Sequence, residues 1–239
     1  VSDASAVAAP SAQWADRVVV FDTETTGIDP MNDRIVTAFF GILDADGEVE
    51  RGTDWLADPG IEIPERATAV HGVTTETAQS EGEPAAEVIA KLAKSLEWVA
   101  RSGLPLVVFN APYDLTLLAA ECNRHGVPFP PLGKQVIDPL VIDRQVDKFR
   151  KGKRTLTDSA PVYGVELLDA HDAGADAIAS GQVAQAMARK YPDQLAIPLA
   201  ELHDLQAQWA DAQATDFESY MRRQRDPNFT ADRGWPIRG

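Results

Sequence analysis

Phe21-Asp22-Thr23-Glu24-Thr25-Thr26-Gly27 runs on from the apolar segment Val18-Val19-Val20. A β-branched run passing into two acids two residues apart reads as a buried strand. Its period-2 alternation puts Asp22 and Glu24 on one face. Carboxylates that close repel each other unless a cation sits between them, and hard divalent cations are held by a few carboxylates plus substrate phosphate oxygens. The end of this strand is therefore a candidate metal site. Taken alone, the same residues also read as a strand running into a polar Thr-Gly turn.

Further along stand Asp114, in Phe109-Asn110-Ala111-Pro112-Tyr113-Asp114-Leu115, and the pair His171 and Asp176, in His171-Asp172-Ala173-Gly174-Ala175-Asp176-Ala177. Each has a local explanation. Asp114 and Asp176 fall in early helical turns, where the helix dipole favours an acid, and His171 reads as a loop histidine beside Asp172. Together and in order, however, Asp-x-Glu, Asp and His-x-x-x-x-Asp resemble the DEDD superfamily of 3′-5′ exonucleases. The match is to its histidine-bearing, DnaQ-like branch, which includes polymerase proofreading subunits, and it extends over residues 17 to 190.

The resemblance implies a ribonuclease H-like α/β domain, a mixed sheet flanked by helices, hydrolysing phosphodiesters at nucleic-acid 3′ ends with two Mg²⁺ or Mn²⁺ ions. It implies that Asp22 bridges both ions, that Glu24 and Asp176 serve the ion on the nucleophile side, and that Asp114 serves the other. His171 takes the place of the base, since imidazole accepts a proton near neutral pH. The terminal nucleotide would meet Thr25, Thr26, Asn110 and His71, the last within Val70-His71-Gly72-Val73-Thr74. Asn110 could equally cap the helix opened by Pro112, and His71 could simply shape its turn. Where the family often carries His before that Asn, this chain has Phe109. Single-stranded DNA or frayed 3′ ends are the implied substrates, with RNA as the alternative. A DNA polymerase or another replication or repair protein is the implied partner, and proofreading would act in trans.

Composition narrows the mode of binding. The chain has 239 residues, 22 Lys and Arg against 37 Asp and Glu, and a formal net charge of −15. Phosphate contacts come from Lys and Arg, so binding by bulk electrostatics is excluded and any grip must be local. The one basic run is Lys148-Phe149-Arg150-Lys151-Gly152-Lys153-Arg154, either a hold on phosphates upstream of the scissile bond or a solvated loop. Tyr113, Phe109 and Tyr163 are aromatic residues available for base stacking. A single cysteine, Cys122, forms no disulfide within the chain and suits reducing cytosol. No apolar run is long enough to span a bilayer.

Residues 1–16 are expected to be a flexible tail, 17–195 the exonuclease domain and 196–239 a C-terminal helix and tail. Arg17 to Asp22, Arg34 to Leu43 and Glu48 to Leu56 read as a meander, and Ala57 to Glu81 as a loop. Helices are expected from Pro84 to Gly103, from Pro112 to Gly126, over Val136 to Phe149 with a start near Asp138, and from Ala173 to Lys190. Asp138 and Asp143, five residues apart, are off one helical stripe, so at most one should face inward. The last helix, from Pro198, should bury Leu202, Leu205, Trp209 and Ala212.

Overall fold

The computed structural model describes residues 12–167 and 170–238. A six-stranded mixed sheet has the order β4-β3-β2-β1-β5-β6. Its meander is β1 (Val18–Thr25), β2 (Ile35–Leu43) and β3 (Val49–Asp58), antiparallel throughout. The short strands β5 (Leu106–Val107) and β6 (Val136–Ile137) add on in parallel to β1, and β4 (Glu83–Pro84) lies parallel to β3.

Strand alternation divides the core in two. Val18, Val20 and Leu43 pack with the long helix that spans Ala173–Lys190, while Val19, Phe21 and Ile42 pack with the helices of the opposite layer. Burying each of these large apolar side chains contributes about 1.5–3 kcal/mol, which is what fixes the register of β1. The opposite layer comprises α3 (Ala85–Ser102) and α4 (Ala111–His125). Before them, the segment expected to be a loop forms two short helices, α1 (Glu65–His71) and α2 (Thr75–Glu81). Gly72, at φ 78°, ends the first, and the Thr74 hydroxyl caps the second by accepting from Thr77 N–H at 3.1 Å. Seven residues are too few to display an apolar period, so the sequence concealed them.

Within Val136 to Phe149 the helix starts next to Asp138 as expected and ends at Val146, short of Phe149. Val136 and Ile137 pair with β5, and the Asp138 carboxylate caps α5 (Pro139–Val146). There follow α6 (Leu156–Ser159), capped by Thr155, α7 (Ala173–Lys190), α8 (Pro192–Leu195) and α9 (Leu199–Gln224). In α7, a Cβ on Gly181 would come within 2.5 Å of Leu43 Cδ1 and Val20 Cγ1, so only glycine lets helix and sheet approach this closely.

Two further expectations are corrected. Of the tail predicted over residues 1–16, Gln13–Asp16 form a helical turn with Trp14 buried and its Nε1 donating to Leu195 O at 2.9 Å; residues 1–11 lie outside the described residues. And α9 buries Leu202, His203 and Gln206, not a purely apolar stripe. β6 ends the sheet, so its outer groups need partners other than a strand. His203 Nδ1 accepts from Val136 N–H at 3.2 Å, Gln206 Nε2 donates to Val136 O at 3.1 Å, and Gln206 Oε1 accepts from Asp138 N–H at 2.7 Å. Two polar side chains of α9 thus stand in for the missing strand. Trp235 and Ile237 of the C-terminal segment pack onto the α3–α4 side, with Trp235 against His203.

Candidate active site

The site forms because β1 outruns its parallel neighbour. β5 pairs only with Val19 and Val20, after which its chain turns through Asn110, at φ 62° and ψ 47°, into α4. Asp22 to Thr25 therefore border an opening at the carboxyl end of a parallel strand pair, the position at which open α/β sheets bind ligands. Alternation sends Asp22 and Glu24 towards α7 and sends Thr23 and Thr25 towards α4. The Thr23 hydroxyl donates to Asp114 Oδ1 at 2.6 Å, anchoring the buried acid of α4. The Thr25 and Tyr113 hydroxyls lie 2.7 Å apart, and both reach Gly27 O at 2.6 Å, tying the end of β1 to α4.

The third segment reaches the same opening from the start of α7. Asp172 caps that helix, accepting from Ala175 N–H at 2.9 Å, and Asp176 follows in its first turn. His171 is exposed with φ 74°, a left-handed conformation uncommon outside glycine, and its N–H points at Asp176 Oδ2 at 3.3 Å. This bend brings the imidazole back over the acids. One potential ligand atom each from Glu24, His171 and Asp176 lie within 4.8 Å of one another.

Burial and mutual repulsion dominate the electrostatics. Burial raises the Asp22 carboxyl well above the usual range, and Asp114, Asp176, Glu24 and Asp172 push it further. Glu24 rises to about 8 through burial and then Asp176, Asp114 and Asp172. Asp114 rises to about 7 through burial, against the opposing Thr23 hydrogen bond, and Asp176 is raised by burial above all. Asp176 Oδ1 is buried without a hydrogen-bond partner. Among the described residues no Lys or Arg forms an ion pair with any of the four, whereas the buried acids Asp143 and Glu121 both have arginine partners. A cluster of hard oxygen donors and one imidazole, left without protein cations, fits a divalent-metal centre.

The nucleotide-binding candidates are placed differently from one another. His71 ends α1 with Nδ1 accepting from Val73 N–H at 3.1 Å; burial lowers its pKa, and the neighbouring Thr25 backbone opposes this. His71 and Thr25 are thus brought together. Thr26 is saturated internally, its hydroxyl donating to Asp33 Oδ1 and accepting from Arg34 N–H, both at 3.0 Å. Asn110 makes no side-chain cap to α4, so the capping alternative fails. Its backbone is held by Asp138, whose carboxylate accepts from the N–H groups of Asn110 and Ala111 at 2.9 and 3.0 Å and from Trp235 Nε1 at 3.2 Å.

The expectation that at most one of Asp138 and Asp143 faces inward is overturned, since both are buried. Asp138 sits before the first turn of α5 and not within it, which removes the helical-face argument. Two acids of the site were missed. Asp172 adds to the charge on Asp22 and Glu24, and Asp54, on β3, is raised by burial and by Asp172. Their carboxylates crowd Gly174, where a Cβ would lie 3.1 Å from Asp172 Oδ1 and 3.4 Å from Asp54 Oδ1. Adjacency to His171 could have pointed to Asp172; nothing local marks Asp54.

Sheet order and helical layers define a ribonuclease H-like α/β domain, with acids from β1, α4 and α7 converging at one end of its sheet. The chain belongs to the exonuclease family, whose model matches residues 19–184. A DNA polymerase III subunit epsilon-like protein of Rhodobacter capsulatus is 38% identical over 102 residues, 42% of this chain and 14% of the relative. A PolC-type DNA polymerase III of Clostridium perfringens is 27% identical over 191 residues, 80% of this chain and 12% of the relative. Among solved structures, exonuclease I aligns with TM-score 0.67 at 20% identity, over 75% of this chain and 42% of that one. E. coli exonuclease I in complex with a dA16 oligonucleotide aligns with TM-score 0.65 at 19% identity, with the same coverage. The chain thus spans less than half the length of each of these proteins. The expected family and fold are both borne out.

Proposed function

We propose that the chain is a metal-dependent 3′-5′ exonuclease that releases nucleoside 5′-monophosphates from single-stranded DNA. The observation that carries this reading is the meeting of Glu24, His171 and Asp176 within 4.8 Å beside Asp22 and Asp114, with no protein cation paired to the acids among the described residues. Asp22, Glu24, Asp114 and Asp176 would hold two Mg²⁺ or Mn²⁺ ions. Bound there, such ions supply a more acidic water, polarisation of the phosphoryl group and charge compensation at the leaving 3′ oxygen.

The chain's own residues supply the rest. His171, exposed at the mouth, accepts the proton of the attacking water, and its N–H to Asp176 holds the backbone bend that aims it. Thr23 fixes the rotamer of Asp114. Thr25, His71 and Asn110 border the position of the terminal nucleotide, and Thr26 holds the turn beneath them. Single-stranded DNA is favoured because such a pocket admits an unpaired end more easily than a stacked one, in keeping with the oligonucleotide complex of exonuclease I. The polymerase III relatives make a polymerase the partner of choice.

Digestion of 3′- and 5′-labelled single-stranded DNA, alongside matched RNA, with and without Mg²⁺ or Mn²⁺, tests the proposal. Metal-dependent laddering from the 3′ end supports it, and preference for RNA would change the substrate. Intact oligonucleotides of every kind with either metal would overturn it.

A further inference from the structure

The basic run Lys148 to Arg154 is divided by the fold into an inner and an outer set. Arg150 and Arg154 turn inward, each bonding Asp143 Oδ2 at 2.6 Å, and Arg154 also donates to Asp143 O and Arg150 O, both at 3.0 Å. Pinned at these points, the loop turns Lys148, Phe149, Lys151 and Lys153 to solvent. Phe149 is 91% exposed, and none of the three lysines forms an ion pair among the described residues. Single exposed apolar residues are ordinary. An aromatic ring flanked by free cations, in a chain of net charge −15, is a more specific combination.

Lys148, the first of these residues, lines a cleft of about 870 Å³, and Phe149, Lys151 and Lys153 follow it in the chain outside that lining. At one end the cleft is bordered by Asn110 and Pro112, where the helix carrying Asp114 begins. Along one wall run Arg144 and then Lys148, two residues past the end of α5. The rest of the lining includes Phe217 of α9 and Trp235, together with Asp216 and with Asp211 and Asp232, which are paired with Arg233 and Arg238. Arg144 is exposed and has no ion-pair partner among the described residues, although burial lowers its pKa against the attraction of Asp138. Its guanidinium thus faces solvent from within a concave wall. The eight residues of α5 span about 12 Å, so the cations step away from the site along the cleft.

We propose that this cleft and the loop beyond it are the track of the DNA strand upstream of the scissile bond. Arg144 and Lys148 meet its phosphates inside the cleft. At the exit Phe149 stacks on a base, and Lys151 and Lys153 meet the flanking phosphates. The assignment rests on the exonuclease reading above. An acidic surface repels a polyanion elsewhere, so a local cationic wall decides where the strand can approach. Stacking on an exposed ring suits a strand of any sequence, because every base has a π-face.

The test compares a long single-stranded oligodeoxynucleotide with thymidine 5′-monophosphate p-nitrophenyl ester, a diester with no upstream strand. Phe149→Ala and the pair Lys148→Glu with Lys151→Glu are measured against wild type; all three side chains are exposed, and circular dichroism checks folding. The ratio of kcat/KM for oligonucleotide over ester is expected to fall on the order of tenfold for Phe149→Ala, the worth of one stacked base. For the lysine pair, log KM should depend less steeply on log salt, by about 1.4, at roughly 0.7 for each phosphate of a single strand that is no longer neutralised. An unchanged ratio and an unchanged salt slope would overturn the track. If wild type cleaves neither substrate, it is the exonuclease reading that fails; fluorescence anisotropy of the uncut oligonucleotide then decides the track, equal affinity of wild type and variants refuting it.

Discussion

Asp143 Oδ2 and Arg154 Nη1 lie 2.6 Å apart, with the Asp143 side chain fully buried and that of Arg154 12% exposed. Arg150 shares the same oxygen, and Tyr163 OH donates to the other at 2.6 Å. Burial alone would raise the Asp143 carboxyl, but Arg150, Tyr163 and Arg154 together hold it below the usual range. A group whose folded pKa is depressed contributes stability above its unfolded pKa of about 3.9, and this is lost as pH falls through the folded value. Asp143→Ala should cost about 3–5 kcal/mol at neutral pH by leaving the largely buried Arg154 without a carboxylate and Arg150 with Asp147 alone, and the difference from wild type should shrink in strong acid. Urea denaturation of both proteins between neutral and acid pH checks this.

Asp22→Asn should cut cleavage by roughly a thousandfold, the worth of a few kcal/mol of charge stabilisation, while leaving the fold intact. Removing one of several mutually repelling acids should also raise the thermal midpoint in chelator. Wild type should be stabilised by about 2.7 kcal/mol when Mn²⁺ is at roughly a hundredfold its Kd, and the variant by much less. Thermal melts with EDTA and with Mn²⁺ read both effects.

His171→Ala should lower kcat by about 10²–10⁴-fold, the usual worth of a general base, and change oligonucleotide affinity little. The side chain is exposed, so stability should stay within about 0.5 kcal/mol of wild type. Single-turnover cleavage alongside anisotropy separates the two. Weakened binding with unchanged chemistry would count against the base.

The His203 ring must remain neutral to accept from Val136 N–H, and burial holds its pKa below the ordinary value. The unfolded chain therefore takes up the proton first, and stability falls as pH drops below about 6.5. His203→Gln, which keeps an acceptor without the titration, should flatten stability between roughly pH 7 and roughly pH 5. Equilibrium unfolding across this window measures it.

Gly181→Val should destabilise by about 1–3 kcal/mol or more, because the added carbons would meet Leu43 and Val20 where even a Cβ has 2.5 Å. The same shift would move Asp176 relative to Glu24, so activity should fall along with the thermal midpoint.

The sequence alone determined the elements with strong local signals. β1 was legible because its Val run has a high β propensity and its acids alternate. α3, α4 and α7 were legible because proline, asparagine or aspartate and glycine mark their ends, and all five catalytic candidates lay in or beside β1, α4 and α7. Their spacing along the chain carried the family resemblance, which the exonuclease family match bears out.

Only the tertiary structure decided what depends on long-range proximity. Asp54 joins the site because β3 runs two strands from β1 and Asp172 reaches across to it, a contact no sequence period encodes. Asp138 and Asp143 could both turn inward because a strand ends at the first and arginines from a later loop enclose the second. His203 and Gln206 became interior residues because β6 left backbone groups unpaired, and a polar side chain is buried wherever such a group awaits it. Local propensity acts over a few residues, whereas a buried charge or a sheet edge is satisfied by whichever side chain the fold brings near.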